Sequence, residues 1–229
     1  MTALSTRTFT SLMAAAKKAA KAKHFHEAID LLENAHRIQP ADRSLYILKA
    51  EAYKSIGDFA SAAEEIDRAI EYSVDDIELL VQRAELALNV SDINTATTSL
   101  RRAITLRPEL PELWIAFISV VSNSVSSEKA ASYIAAIGID PPQQTNVLIK
   151  LAEVEVSAGK FESAERRIRL IFDESKNDPD RRKLYAKFLM EIGEDMEARV
   201  IYRELHDEFP NSTEILMAEA FAEQHENSS

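Results

Sequence analysis

The stretch SIGDFASAAEEIDRAI at residues 55–70 and the stretch SAGKFESAERRIRLI at residues 157–171 place similar residue types in the same order. Their glycines, Gly57 and Gly159, are 102 residues apart, and Gly193 follows after a further 34. Because 102 is three times 34, the similarity indicates a repeat of 34 residues that runs through the chain, and not one duplicated segment.

Frames of 34 residues that begin near residues 9, 43, 77, 111, 145 and 179 align the chain without insertions. Place 20 of every frame is alanine, place 24 is large and apolar, and place 32 is proline in four frames. The residues at place 20 are Ala28, Ala62, Ala96, Ala130, Ala164 and Ala198. The residues at place 8 are Ala16, Ala50, Ala84, Ile118, Ala152 and Ala186. This regularity predicts a stack of identical structural units.

Each frame is predicted to form two helices. In the second frame, residues 45–56 and residues 58–72 each carry apolar residues at helical spacing, and Gly57 stands between them. A glycine there suits the end of a helix, because it takes positive φ without strain. One helix pair cannot bury its apolar face alone, so the pairs must stack.

The repeat length, the small residue at place 8, the alanine at place 20 and the proline at place 32 resemble the tetratricopeptide repeat (TPR) superfamily over residues 9–212. The resemblance implies an all-α fold, a right-handed α-solenoid of antiparallel helix pairs. The predicted organisation is an N-terminal arm at 1–8, six repeats at 9–212, a C-terminal capping helix at 213–225 and a flexible tail at 226–229.

Composition argues against an enzyme. The 229 residues include no cysteine, so the chain has neither a thiolate zinc site nor a cysteine nucleophile. Glycine-rich phosphate loops and GxSxG elbows are absent from the sequence. The segment HEAID at 26–30 begins like a zinc-protease helix but ends in Asp30 in place of histidine. We therefore expect no cofactor, no metal and no catalytic residues.

Charge and hydropathy restrict location and partners. The net charge of −11 disfavours binding to nucleic acid. The sequence contains no run of 18 apolar residues, so it predicts no transmembrane segment. We expect a cytoplasmic protein, although one alternative stays open: the first 26 residues hold five cations and no acid, as organellar presequences do. These cations are Arg7, Lys17, Lys18, Lys21 and Lys23.

The resemblance places the first helix of each repeat along a concave groove, with places 2, 5, 9, 12 and 13 facing it. The apolar candidates for contact with a peptide are Ile47, Val81, Ile115 and Ile149. The charged candidates are Glu51, Glu85 and Glu153 in the middle, and Lys183 and Lys187 near the end. Such a groove favours a peptide that is apolar on one side and basic on the other. The alternative is that the glutamates are only solvated and the place-5 residues pack adjacent repeats.

The predicted function is a non-enzymatic scaffold or adaptor that binds a protein or peptide partner in the concave groove. The alternative is a recruitment or assembly subunit of an enzyme or of a secretion or membrane complex, acting through the convex face or repeat four. Repeat four has Ile118 at place 8; either its core has repacked around the larger residue or its helices splay. A homo-oligomer is a further possibility, with Lys17 and Lys21 as contacts to the acidic groove of another copy.

Overall fold

The computed structural model describes residues 3–174 and 177–226, and every regular element in these ranges is an α-helix. The helices are α1 Ala3–Lys21, α2 Phe25–Ile38, α3 Arg43–Ile56, α4 Phe59–Glu71, α5 Ile77–Asn89, α6 Ile93–Leu106, α7 Pro111–Ser124, α8 Ser127–Ala135, α9 Thr145–Ser157, α10 Phe161–Glu174, α11 Pro179–Glu191, α12 Asp195–Glu208 and α13 Thr213–Glu226. The predicted all-α fold class is confirmed.

The sequence period returns in the helix boundaries. The first helices of successive pairs, α3 to α13, begin at residues 43, 77, 111, 145, 179 and 213. The second helices, α2 to α12, begin at residues 25, 59, 93, 127, 161 and 195. Both series advance by 34 residues, and the two helices of each pair pack against each other.

Small residues explain this close packing. All six place-20 alanines are fully buried, at 0% exposure. The place-8 residues of the six pairs are also buried, and so is the exception, Ile118, at 1% exposure. Where neither helix carries a bulky side chain, the two backbones can approach closely.

Local signals set the helix ends in residues 42–92. Gly57 ends α3 with a left-handed φ of 83°. The Asp58 carboxylate accepts a hydrogen bond from the Ser61 backbone N–H at the start of α4, and Asp42, Asp76 and Asp92 cap α3, α5 and α6 in the same way. These bonds satisfy backbone donors that the helix itself leaves unpaired.

Repeat four lacks these signals. Leu110 and Ser126, which precede α7 and α8, make no side-chain cap hydrogen bond. Helix α8 has nine residues, whereas the other second helices have 13 or 14. Ile118 is buried in this pair, as the repacking interpretation expects. The second helix of the pair, α8, is shorter than the second helices of the other repeats.

The chain divides into two compact units, Met1–Arg107 and Pro108–Ser229. The core of the first unit includes Leu32, Leu45 and Ile66. The core of the second includes Tyr185 and Leu189. The repeat register continues unbroken through residue 107, so the sequence pattern did not predict this division.

The chain termini differ in detail from the prediction. The arm expected at 1–8 is not separate from the first helix, because α1 already begins at Ala3. The Thr8 and Thr10 hydroxyls donate to backbone carbonyls one turn earlier, within that helix. Helix α13 extends to Glu226, and the rest of the expected tail, 227–229, lies outside the described residues. Among the helices described, none combines the length and the apolar character that crossing a bilayer requires.

Candidate functional site: clefts between the first helices

Four clefts open between consecutive first helices, each within one unit. They lie between α1 and α3, α3 and α5, α7 and α9, and α11 and α13, with volumes of about 260, 350, 320 and 280 Å³. The first helices are those that the repeat resemblance assigns to the concave face. The clefts are therefore candidate places for the side chains of a partner.

The α3–α5 cleft combines an apolar wall with an acidic rim. Ile66, Val81 and Leu86 line it together with Glu51, Glu78 and Glu85 as the carboxylates of the rim. The Lys54 ammonium also lines this cleft, and its Nζ lies 3.1 Å from Oε2 of Glu85. Glu51 and Glu78 have no ion-pair partner among the described residues. The cleft therefore keeps two negative charges that a ligand could neutralise.

The neighbouring α1–α3 cleft shares Glu51 with it. Its other lining residues include Phe25, Leu32 and Leu48, which are apolar, and Lys21. Lys21, one of the two lysines predicted as oligomer contacts, therefore lines a cleft of its own chain together with Glu51. Lys17 is exposed on the same helix.

The α7–α9 cleft in the second unit is polar. Ser119, Ser122 and Ser157 line it, and the Lys150 ammonium lies 2.8 Å from Oε2 of Glu153. Glu153 was predicted to attract basic ligands together with Glu51. In the structure its charge is already matched within its own helix, so this cleft has less electrostatic attraction for a cation.

The α11–α13 cleft contains the two lysines predicted at the end of the groove. The Lys183 ammonium lies 2.9 Å from Asp180 and 3.5 Å from Glu214. The hydrogen bond to Asp180 and the charge of Glu214 raise the pKa of Lys183 above its ordinary value. Lys187 also lines the cleft and forms no ion pair within the described residues. Of the pair, only Lys187 is available to an anionic ligand.

The predicted apolar residues at place 5 fall into two groups. Val81 lines the α3–α5 cleft. Ile47 packs against the core of the first unit, and Ile149 packs against the core of the second. Ile115 is half-buried on α7. The structure thus brings Glu51, Val81 and Glu85 together in one cleft and places the other predicted residues in separate surroundings.

Glu78 stands at place 2, one of the places that the resemblance assigns to the groove, but the ion pair by which Lys54 neutralises Glu85 was not predicted. Lys54 precedes Glu85 by 31 residues, as Lys183 precedes Glu214. This separation joins one first helix to the next, so opposite charges 31 residues apart are the sequence signal that could have identified the pairs.

Comparisons with known proteins agree with this architecture. Residues 19–83 match the family described as Tetratricopeptide repeat. No curated protein is significantly similar to the sequence.

Solved structures are similar in fold. One is a tetratricopeptide repeat protein from Parabacteroides merdae, 14% identical, with a TM-score of 0.53 over 96% of this chain and 88% of that one. A Naa15/Naa10 complex bound to HypK-THB is 17% identical, with a TM-score of 0.61 over 90% of this chain. This chain spans only 32% of that protein. YrrB, described as a TPR protein with an unusual peptide-binding site, is 15% identical, with a TM-score of 0.50 over 77% of this chain and 90% of that one.

Proposed function

We propose that this chain, which matches the tetratricopeptide repeat family over residues 19–83 and continues the same 34-residue helix period over the rest of its described length, is a non-enzymatic scaffold for protein partners. It binds an extended or helical peptide segment of the partner along the first helices of residues 1–107. The fold similarity to YrrB, a repeat protein with a peptide-binding site, supports this type of function.

The observation that carries the proposal is the α3–α5 cleft. It presents the unpaired carboxylates of Glu51 and Glu78 beside the apolar side chains of Ile66 and Val81. A peptide that inserts an aliphatic residue and places lysine or arginine at either side would match both features. The clefts of the second unit offer less, because Glu153 and Lys183 are paired within the chain.

Magnitudes set the expected strength. Solvent-exposed ion pairs contribute about 0.2–1 kcal/mol each, and burying one aliphatic side chain contributes about 1.5–3 kcal/mol. The apolar contact therefore supplies most of the affinity, while the two glutamates select the charge of the peptide. We expect weak binding that decreases as salt concentration rises, since salt screens exposed charges.

The test compares two peptides of equal length, one with lysines around a leucine and one with glutamates in the same positions, by fluorescence anisotropy. The wild-type chain should prefer the lysine peptide. The double substitution Glu51→Gln and Glu78→Gln should weaken that binding by about tenfold, the effect of two exposed ion pairs.

The matched control is Glu64→Gln with Glu71→Gln, which removes the same charge from exposed positions of α4. It should leave binding unchanged. Equal losses in both double variants would mean that only the overall charge matters. A preference for the glutamate peptide would refute the proposal.

A further inference from the structure

The α1–α3 cleft is mainly apolar and has one free cation at its edge. Ala16 and Leu32 form buried parts of its lining, and Phe25 and Leu48 are half-buried beside them. The Lys21 side chain also lines the cleft, is exposed, and forms no ion pair within the described residues. The cleft can therefore take an aliphatic side chain and a negative charge together.

Glu51 connects this cleft with the α3–α5 cleft. It lines both of them, since α3 lies between the two. Glu78 lines only the α3–α5 cleft. A ligand that fills both clefts therefore meets the ammonium of Lys21 at one end and the carboxylates of Glu51 and Glu78 after it. The charge of the combined site changes sign along its length.

The three charges lie on a diagonal across the first helices. The loops between α1 and α5 have two to five residues, so neighbouring helices are antiparallel and α1, α3 and α5 run in the same direction. Lys21 stands at place 13, near the end of α1, Glu51 at place 9 of α3, and Glu78 at place 2, near the start of α5.

Helix dimensions set the spacing of these charges. With a rise of about 1.5 Å per residue and a helix width of about 10 Å, Lys21 and Glu51 are roughly 12 Å apart, and Glu51 and Glu78 roughly 15 Å. An extended chain, at about 3.3 Å per residue, covers either distance in about four residues. A short peptide can therefore reach all three charges.

We propose that the peptide ligand of the first unit carries charge of both signs and lies across both clefts. Its acidic side chain pairs with Lys21, a basic side chain about four residues along pairs with Glu51, and a second basic side chain pairs with Glu78. One aliphatic residue between successive charges enters each cleft. The inference rests on the proposed function, because it adds the α1–α3 cleft and a direction to the peptide site already proposed.

Lys21 determines the direction of the ligand more than its affinity. An exposed ion pair changes affinity by less than about fivefold. A ligand in the opposite direction, however, would bring a basic side chain to Lys21 and an acidic one to Glu78, so that like charges meet at both ends. The favoured direction places the acidic end over α1.

The experiment uses two peptides with acetylated and amidated ends, so that only side chains carry charge. The first is Glu-Leu-Ser-Pro-Lys-Leu-Ser-Pro-Lys, in which proline prevents the peptide from forming a helix. The second has lysine in place of the glutamate. Titration calorimetry on the full chain measures both affinities, and their ratio is the readout. Lys21→Glu should shift that ratio by about tenfold toward the second peptide, because an attraction becomes a repulsion and a repulsion becomes an attraction.

Lys18→Glu is the matched control. Lys18 and Lys21 both lie in the last turn of α1 and both are exposed, so each substitution costs the helix a similar amount and changes the net charge equally. Only Lys21 lines the cleft. Lys18→Glu should therefore leave the ratio close to the wild-type value, and circular dichroism checks that both variants are folded. An equal shift in the two variants would show that only total charge matters and would overturn the proposal.

The first leucine of the peptide tests whether the α1–α3 cleft is filled. Its replacement by serine should weaken wild-type binding about tenfold, because an aliphatic side chain is no longer buried. An unchanged affinity would show that this cleft stays empty, and the proposal would be wrong. In either failure the α3–α5 site stands if Glu51→Gln with Glu78→Gln still weakens binding of the lysine peptide. Loss of that effect would refute the proposed function as well.

Discussion

Lys49 shows how one buried charge is accommodated in a repeat. It occupies place 7 of the second frame, where later repeats bury Phe117, Leu151 and Tyr185, and it is itself 2% exposed. Its Nζ lies 2.5 Å from Oε1 of Glu33 and 2.7 Å from Oε1 of Glu65. Burial opposes the charge, but the hydrogen bonds to the two carboxylates prevail and raise the pKa of Lys49.

Removing the ammonium should therefore be costly. We expect Lys49→Ala to lower the free energy of unfolding by about 3 kcal/mol, because it leaves the buried Glu65 carboxylate without one of its two partners. Urea unfolding followed by circular dichroism measures the loss. The double variant Lys49→Met, Glu65→Leu should recover most of it, since an apolar replacement of a buried ion pair is often neutral. A double variant as unstable as Lys49→Ala would contradict this account.

The same interaction makes stability depend on pH. The hydrogen bond from Lys49 lowers the pKa of Glu33, so its contribution is present above the ordinary glutamate pKa of about 4.3 and is lost as pH falls. The raised pKa of Lys49 means that its contribution is present below about 10.4 and is lost as pH rises further. The stability difference between the wild type and Lys49→Met should be largest between these limits. A difference that is constant across them would exclude the ion pairs as its cause.

At the scale of the helix pair, Ile118 tests how far the repeat rule holds. Place 8 is alanine in the other five repeats. In α7 it is the larger Ile118, which is nevertheless buried, at 1% exposure. We expect Ile118→Ala to lower the free energy of unfolding by about 3 kcal/mol, because the removed side-chain atoms leave a cavity that the surrounding helices fill only in part. Thermal unfolding measures it, with the half-buried Ile115→Ala as a smaller control.

The reciprocal substitution completes the comparison. Ala84→Ile places the larger residue between α5 and α6, where it should cost about 1–3 kcal/mol through overpacking. If both substitutions are neutral, place 8 does not determine the spacing of the helices and the packing explanation is wrong.

The helices were predictable from sequence because their causes are local and periodic. The capping aspartates act within a few residues, the place-20 alanines act within one helix pair, and the boundaries of α3 to α13 follow the 34-residue period. The pairing of Lys54 with Glu85 was not predicted, because it depends on how one first helix packs on the next. The short α8 was not predicted either, although Gly138, which has a positive φ of 69°, and Pro141 and Pro142 after it are a signal for an early helix end.

The whole molecule has an uneven charge. Residues 1–107 contain 14 basic and 15 acidic residues, for a net charge of −1, while residues 108–229 contain 13 and 23, for −10. The acidic excess therefore belongs to the second unit, and the first unit is nearly neutral. Because the carboxylates of Glu51 and Glu78 lie in the nearly neutral unit, the proposed preference of the α3–α5 cleft for a basic peptide depends on these two side chains and not on the overall field of the unit.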